Sequence, residues 1–162
     1  MQYKIFVSYS THDIEHVELL NQQLIGTSIE VFIAEHSIKP GEDLGKEISK
    51  AIEGCDLFVV LWSKNAQDSA WVSQEIGRAD ALKKPILPLV LTEGISLPGF
   101  ISNLKYLPVF DNPEKAVIKA KEFIFDSYNK KVHSLAEVKK QNNKDALVAM
   151  GIGAFLLWAL NS

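Results

Sequence analysis

Trp71, Glu75 and Arg78 are spaced so that a helix through residues 69–84 puts all three on one face. The same helix carries Val72, Ile76 and Ala79 on a neighbouring stripe about 100° away, so Glu75 stands at the edge of a face that packs. A carboxylate there has two uses. Aimed toward the carboxyl ends of nearby strands, where open α/β sheets bind ligands, it can stabilise positive charge that develops in a bound molecule. Left on the surface, it forms an i, i+3 ion pair with Arg78, the only arginine in the chain, worth about 0.3 kcal/mol. Trp71 likewise reads either as a stacking wall for a flat ring or as an aromatic at the core edge.

Other residues with chemical capacity point to less. His12 and His16 have the i, i+4 spacing of two metal ligands, but no third ligand follows nearby, and both are expected to face solvent without a metal. Cys55 is the only cysteine, which excludes an intramolecular disulfide and a multi-cysteine zinc site and suggests a reducing compartment. Without a histidine partner motif it reads as a packed thiol. A net charge of -3 gives no basic face for nucleic acid, and there is no glycine-rich phosphate loop of the P-loop or kinase kind. The N-terminus enters a strand-like run at once, with no basic region ahead of a long apolar core, so no signal peptide is expected.

These residues need a scaffold, and 162 residues suit one domain with an appendage. Short β-branched and aromatic runs at 4–9, 29–34, 56–62, 86–91 and 106–110 alternate with amphipathic stretches, the pattern of βαβ units and a parallel sheet. The third run is apolar throughout, as a central strand covered on both faces requires. Helical periodicity appears in 13–24 through Ile14, Val17, Leu20 and Leu24, with Ser10 or Thr11 as a cap. It recurs in 43–53 through Leu44, Ile48 and Ile52, in 69–84, and after Pro113 through Val117, Ala120 and Ile124. The domain is expected to span residues 1–128.

Several segments then agree with one family. Lys4-Ile-Phe-Val-Ser-Tyr-Ser with Thr11-His-Asp13, Val31-Phe-Ile, the loop His36-Ser-Ile-Lys-Pro-Gly-Glu-Asp43, Cys55-Asp-Leu-Phe-Val-Val-Leu-Trp-Ser63 and Ser69-Ala-Trp-Val-Ser-Gln-Glu75 resemble TIR domains in order and spacing. The similarity covers roughly residues 4–125 and is nearest to prokaryotic members. The resemblance implies a flavodoxin-like fold, a five-stranded parallel sheet of order 2-1-3-4-5 with helices on both faces. In many members it also implies cleavage of the nicotinamide–ribose bond of NAD+, with no cofactor beyond that substrate. Glu75 matches the family's catalytic glutamate. Tyr9, Ser10 and Thr11 follow the first strand, where the family's pocket has its floor, and Trp62, Ser63 and Trp71 are further candidates for substrate contact. Residues His36, Ser37, Ile38, Lys39, Pro40, Gly41, Glu42 and Asp43 resemble the BB loop, which contacts neighbouring protomers. Ala34 stands where many eukaryotic members carry Asp, a departure at the strand end before that loop. The resemblance therefore implies an NAD+-consuming enzyme activated by self-assembly in anti-phage defence. The alternative it leaves open is a non-enzymatic adaptor acting through TIR–TIR contacts.

Beyond the domain, residues 129–145 form a lysine-rich linker or solvated helix. Residues 146–160 are uncharged and as a helix span roughly 22 Å, short of the ~30 Å hydrocarbon core. With Lys139, Lys140 and Lys144 before it and Trp158 near its end, this segment reads as a tail anchor holding the domain on the cytoplasmic side. A helix buried in a soluble oligomer, with Ala149 and Gly153 in contact, is the other reading.

Overall fold

A computed structural model describes residues 2–160, with backbone alone at 35, 36, 147 and 149–160. Five parallel strands form one sheet: β1 (Tyr3–Ser8), β2 (Ile29–Phe32), β3 (Leu57–Trp62), β4 (Ile86–Val90) and β5 (Leu107–Pro108). Their order is β2-β1-β3-β4-β5, as the resemblance implies. Each begins or ends within a few residues of the run expected for it. β3 is buried at every position, which accounts for its unbroken apolar sequence.

The sheet is sandwiched because its strands present apolar residues to both faces. Phe6, Phe58, Val60, Trp62 and Val90 join Ile48 and Ile52 of α3 (Leu44–Gly54) and Val72, Ile76 and Ala79 of α5 (Ala70–Ala81) in one core cluster. The alternate residues, Ile5, Val7, Leu57, Val59, Leu61, Leu87 and Leu89, are buried as well, so a second cover is required. The remaining buried helical stripes supply it. They are Val17 and Leu20 of α1 (Ile14–Gln22) and Ala116, Ala120 and Ile124 at the start of α6 (Pro113–Leu160). Ala116 takes the place expected of Val117, which is only half-buried. Asn112 caps α6 by accepting from the Lys115 amide at 2.9 Å, and Pro113 takes the first position, where no amide is needed.

Two short helices complete the connections, α2 (Ala34–Ser37) and α4 (Lys64–Gln67), with 3-10 turns at Thr11–Asp13 and Gly99–Ile101. The expected capping of the first helix by Ser10 or Thr11 does not occur. The chain tightens into the 3-10 turn instead, closed by the Asp13 amide donating to the Ser10 carbonyl at 2.7 Å, and neither hydroxyl reaches an N-terminal amide. The segment expected to be a loop from His36 begins two residues later, at Ile38, since His36 and Ser37 belong to α2.

Pro88 sits inside β4 opposite Val60. The Leu91 amide donates to the Trp62 carbonyl at 2.8 Å and the Val109 amide to the Val90 carbonyl at 2.7 Å. Odd-numbered residues of β4 therefore face β3 and even-numbered ones face β5. Pro88 thus withholds its missing donor from the β5 side, and β5 pairs only with Leu89 and Val90.

The chain divides into two contact units, Met1–Ile124 and Phe125–Ser162. The second is helical through Leu160, and Val132, Leu135 and Val138 are exposed along it. Among the described residues no helix is long and apolar enough to cross a membrane, so the expected anchor finds no support, and the side chains of 149–160 on which it rests lie outside the described residues.

Phe58 is fully buried and stacks on Phe6 with ring centroids 5.3 Å apart. Phe58→Ala is expected to lower the unfolding free energy by about 3–5 kcal/mol, read from the urea midpoint at constant slope.

Candidate active site

A cleft of about 590 Å³ opens at the carboxyl end of β1. That is the switch point of the sheet, where the chain runs from β1 to β2 on one side and β3 pairs with β1 on the other. The volume lies within the range of small-molecule sites. Phe6, Ala34, Leu44, Ile48 and Trp71 make one side apolar. Tyr9, Ser10, Thr11, His12, Asn65, Asp68 and Ser69 supply a polar rim, and Glu75 is the carboxylate within.

Glu75 is fixed from two directions. Ser8, the last residue of β1 and 1% exposed, donates from Oγ to Glu75 Oε2 at 2.5 Å. Helix α5 is anchored at both ends. Ser69 caps it by accepting from the Val72 amide at 3.3 Å. At the far end Arg78 pairs with Glu53 of α3, and Lys84 Nζ donates to the carbonyls of Glu53 and Cys55 at 2.5 and 2.9 Å. The i, i+3 pairing of Glu75 with Arg78 is therefore not formed. Arg78 points to α3, and Glu75 is left to the cleft.

Burial dominates the electrostatics of this carboxylate. Loss of hydration pushes its pKa up from 4.5 to about 7, and the Ser8 hydrogen bond pulls it back only in part. At neutral pH Glu75 is poised between its two protonation states. A charge so poorly solvated by water is best satisfied by a cation brought in by a ligand.

The residues read from the sequence separate into two groups. Tyr9, Ser10, Thr11, Trp71 and Glu75 line one cleft. Trp71 is 52% exposed and stands at the cleft wall, not at the core edge. Trp62 and Ser63 do not reach it. Trp62 is 2% exposed in the α5 core cluster, its Nε1 donating to the Ser96 carbonyl at 2.9 Å. Ser63 is buried, capping α4 at the Ala66 amide and donating to Asp13. Both end a strand whose last side chains turn into packing.

The segment 36–43 borders the cleft through its neighbours, Ala34 before it and Leu44 after it. Ile38 packs against the core cluster of the sheet, α3 and α5, and the hydrogen bonds of the segment are local. Ser37 Oγ accepts from the Ile33 amide at 3.2 Å, Glu42 Oε2 from the Lys39 amide at 2.9 Å, and Asp43 caps α3 at the Lys46 amide. Gly41 holds φ 90°, which glycine adopts without strain. The side chain of His36 lies outside the described residues.

Sequence reasoning missed Ser8, Asn65, Asp68 and Ser69; His12 is exposed, as expected, and also stands on the rim. Ser8 had a signal, a hydroxyl directly after the apolar run of Ile5, Phe6 and Val7. Cys55 is buried, donates to the Ile52 carbonyl at 3.2 Å, and has its pKa pushed up by burial, as a packed thiol should. Among the described residues no three His, Cys, Asp or Glu side chains converge to hold a metal.

Comparison with known proteins adds an independent line. The family model for the TIR domain matches residues 5–121. A probable 2' cyclic ADP-D-ribose synthase of Brachypodium distachyon is 24% identical over 144 residues, 85% of this chain. The chain spans 64% of the length of that relative. The TIR domain of a Toll-related receptor from Hydra magnipapillata superimposes with a TM-score of 0.65 at 22% identity, covering 78% of this chain and 99% of its own. The TIR domains of the activated Roq1 resistosome do so with a TM-score of 0.53 at 21% identity, covering 79% and 84%.

The raised pKa of Glu75 makes stability depend on pH. A carboxyl whose folded pKa lies above its unfolded one favours folding fully below about 4.5 and loses that contribution as pH rises through about 7. Glu75→Gln removes the ionising group and keeps its shape. It is expected to be nearly neutral at pH 4.5 and to stabilise by about 1–3 kcal/mol at pH 8, measured by urea unfolding at both values. Equal effects at the two pH values would show that burial does not set this group.

Proposed function

The chain belongs to the TIR domain family, and on that premise we propose that it cleaves the bond between nicotinamide and ribose in NAD+, with Glu75 as the catalytic carboxylate. The observation that carries this reading is the half-buried Glu75 held by Ser8 inside the cleft. The nicotinamide ring of NAD+ is already cationic, so its departure takes the bonding electron pair, leaves neutral nicotinamide and needs no acid. What the reaction needs is stabilisation of the oxocarbenium left on the ribose, and a partly dehydrated carboxylate provides that strongly. Water then captures the cation to give ADP-ribose and a proton. Capture by one of the substrate's own hydroxyls gives a cyclic product instead, and the name of the Brachypodium relative favours that outcome.

The remaining cleft residues have roles consistent with this substrate. Trp71 offers its face to a flat ring, and Leu44 and Ile48 form an apolar surface beside it. The hydroxyls of Ser10 and Thr11 on the rim suit ribose and phosphate oxygens, while Tyr9, whose hydroxyl oxygen is buried, contributes to the cleft wall. Self-assembly is part of the proposal. The segment 36–43 adjoins the cleft wall, so a neighbouring protomer that contacts it also alters the site, and the resistosome neighbour belongs to an assembled state. Residues 146–160, too short to span a bilayer straight, are assigned to bringing protomers together, in a cytoplasmic enzyme of anti-phage defence.

NAD+ loss by the full chain, with mass analysis of the product, tests the activity. Glu75→Ala and Glu75→Gln are expected to lower turnover at least about 100-fold. Wild-type kcat/KM is expected to rise with pH through about 7 as Glu75 ionises. Truncation after Asp145 is expected to reduce both oligomer size and activity at low protein concentration. An assembled wild type without turnover, or variants equal to it, would end the enzymatic reading.

A further inference from the structure

Two buried polar side chains lie just behind the cleft without lining it. Asp13 is 7% exposed and Ser63 is 4% exposed. Ser63 Oγ donates to Asp13 Oδ2 at 2.5 Å across fifty residues of sequence, and the same oxygen accepts from the Ala66 amide at 3.0 Å. The Ser63 hydroxyl is thus fixed in both directions, donor to one element and acceptor from another.

The location of this pair gives it a use. Asp13 closes the turn after β1, where Tyr9, Ser10, Thr11 and His12 face the cleft, and its amide ties back to the Ser10 carbonyl. Ser63 opens the segment after β3, where Asn65, Asp68 and Ser69 form the rim. β1 and β3 are hydrogen-bonded neighbours with Ser8 opposite Val60, so their two following turns begin side by side. Nothing in the sheet ladder reaches beyond those strand ends. A carboxylate removed from water is costly unless a well-aligned donor meets it, and such a bond is strongly directional. Apolar contact would bury the turns as well but would leave their register loose.

We propose that Asp13 and Ser63 form a positioning pair that locks the two turns together and so sets the spacing of the polar rim that receives the substrate. The proposal rests on the NAD+ reading for its kinetic consequence, but not for the coupling itself. Glu75 is held independently, by Ser8 within β1 and by the anchoring of α5 on α3. Loosening the turns should therefore weaken substrate binding and spare the chemical step.

Asp13→Ala and Ser63→Ala are each expected to raise KM for NAD+ about 10-fold while kcat stays within about 3-fold, and the double variant to be no worse than the poorer single one. Ser63→Thr keeps the hydroxyl and is expected to restore KM. Ile124→Val, a core change away from the cleft, controls for lost stability and should leave KM unchanged. Amide exchange in the ligand-free protein reads the coupling directly: Ser63→Ala should speed exchange at residues 9–13 about 10-fold, and Asp13→Ala should do the same at 64–67. Unchanged exchange in the opposite turn overturns the pair. So does an active enzyme whose KM ignores both substitutions. An inactive wild type defeats the functional reading instead, and the exchange result then decides the pair alone.

Discussion

The hydrogen bond from Ser8 to Glu75 joins the end of a central strand to the middle of a covering helix, and the cleft has its chemical character because of it. A carboxylate buried without a donor would take up a proton and fall silent as a charge. One exposed to water would be screened and would attract little. Ser8 holds Glu75 between those limits, supplying one good bond while burial denies it the rest. The apolar sheet supplies that burial. Phe6 lies two residues before Ser8 on the same face of β1, so the strand presents an aromatic core and then a hydroxyl to the same helix.

Much of the scaffold was legible in the sequence because it rests on local periodicity. An alternation of short apolar runs with helical stripes specifies five strands and their covers, and an apolar run such as 57–62 has no stable place except the middle of a sheet. Strand order was not contained in that pattern and came from the family's arrangement of motifs. The readings that did not hold have a common cause. The i, i+3 pair was one of two uses open to Glu75 because Arg78 is its neighbour on one helix, whereas the partner of Arg78, Glu53, belongs to another helix. Trp62 and Ser63 were assigned to the cleft because they end a strand. Which way a strand's final side chains turn depends on what the chain does next, and here it enters α4 and packs.

The parts of the site that escaped the sequence are contacts between distant segments. Ser8 and Glu75 are 67 residues apart, and Asp13 and Ser63 are 50 apart. Propensity and spacing describe neighbours along the chain, so neither pair leaves a periodic trace. What each does leave is an incongruity: a hydroxyl or a carboxylate where an apolar residue would serve packing better. Ser8 is a buried hydroxyl directly after the apolar run of Ile5, Phe6 and Val7, and Asp13 is buried just before α1. Polar residues that packing alone does not explain are where the fold and its chemistry meet.

Pro88 has a consequence outside its own strand. By denying β5 a donor it keeps that edge of the sheet to two paired residues, and β5 itself ends in Pro108. An edge so short, with a second proline in it, is a poor template for another backbone. Copies of this chain are thereby discouraged from joining sheet to sheet at that edge, the route by which parallel sheets grow without limit. Ordered assembly at that end of the sheet is diverted to side-chain surfaces, on helices and loops, where contacts can be made and broken without opening the sheet.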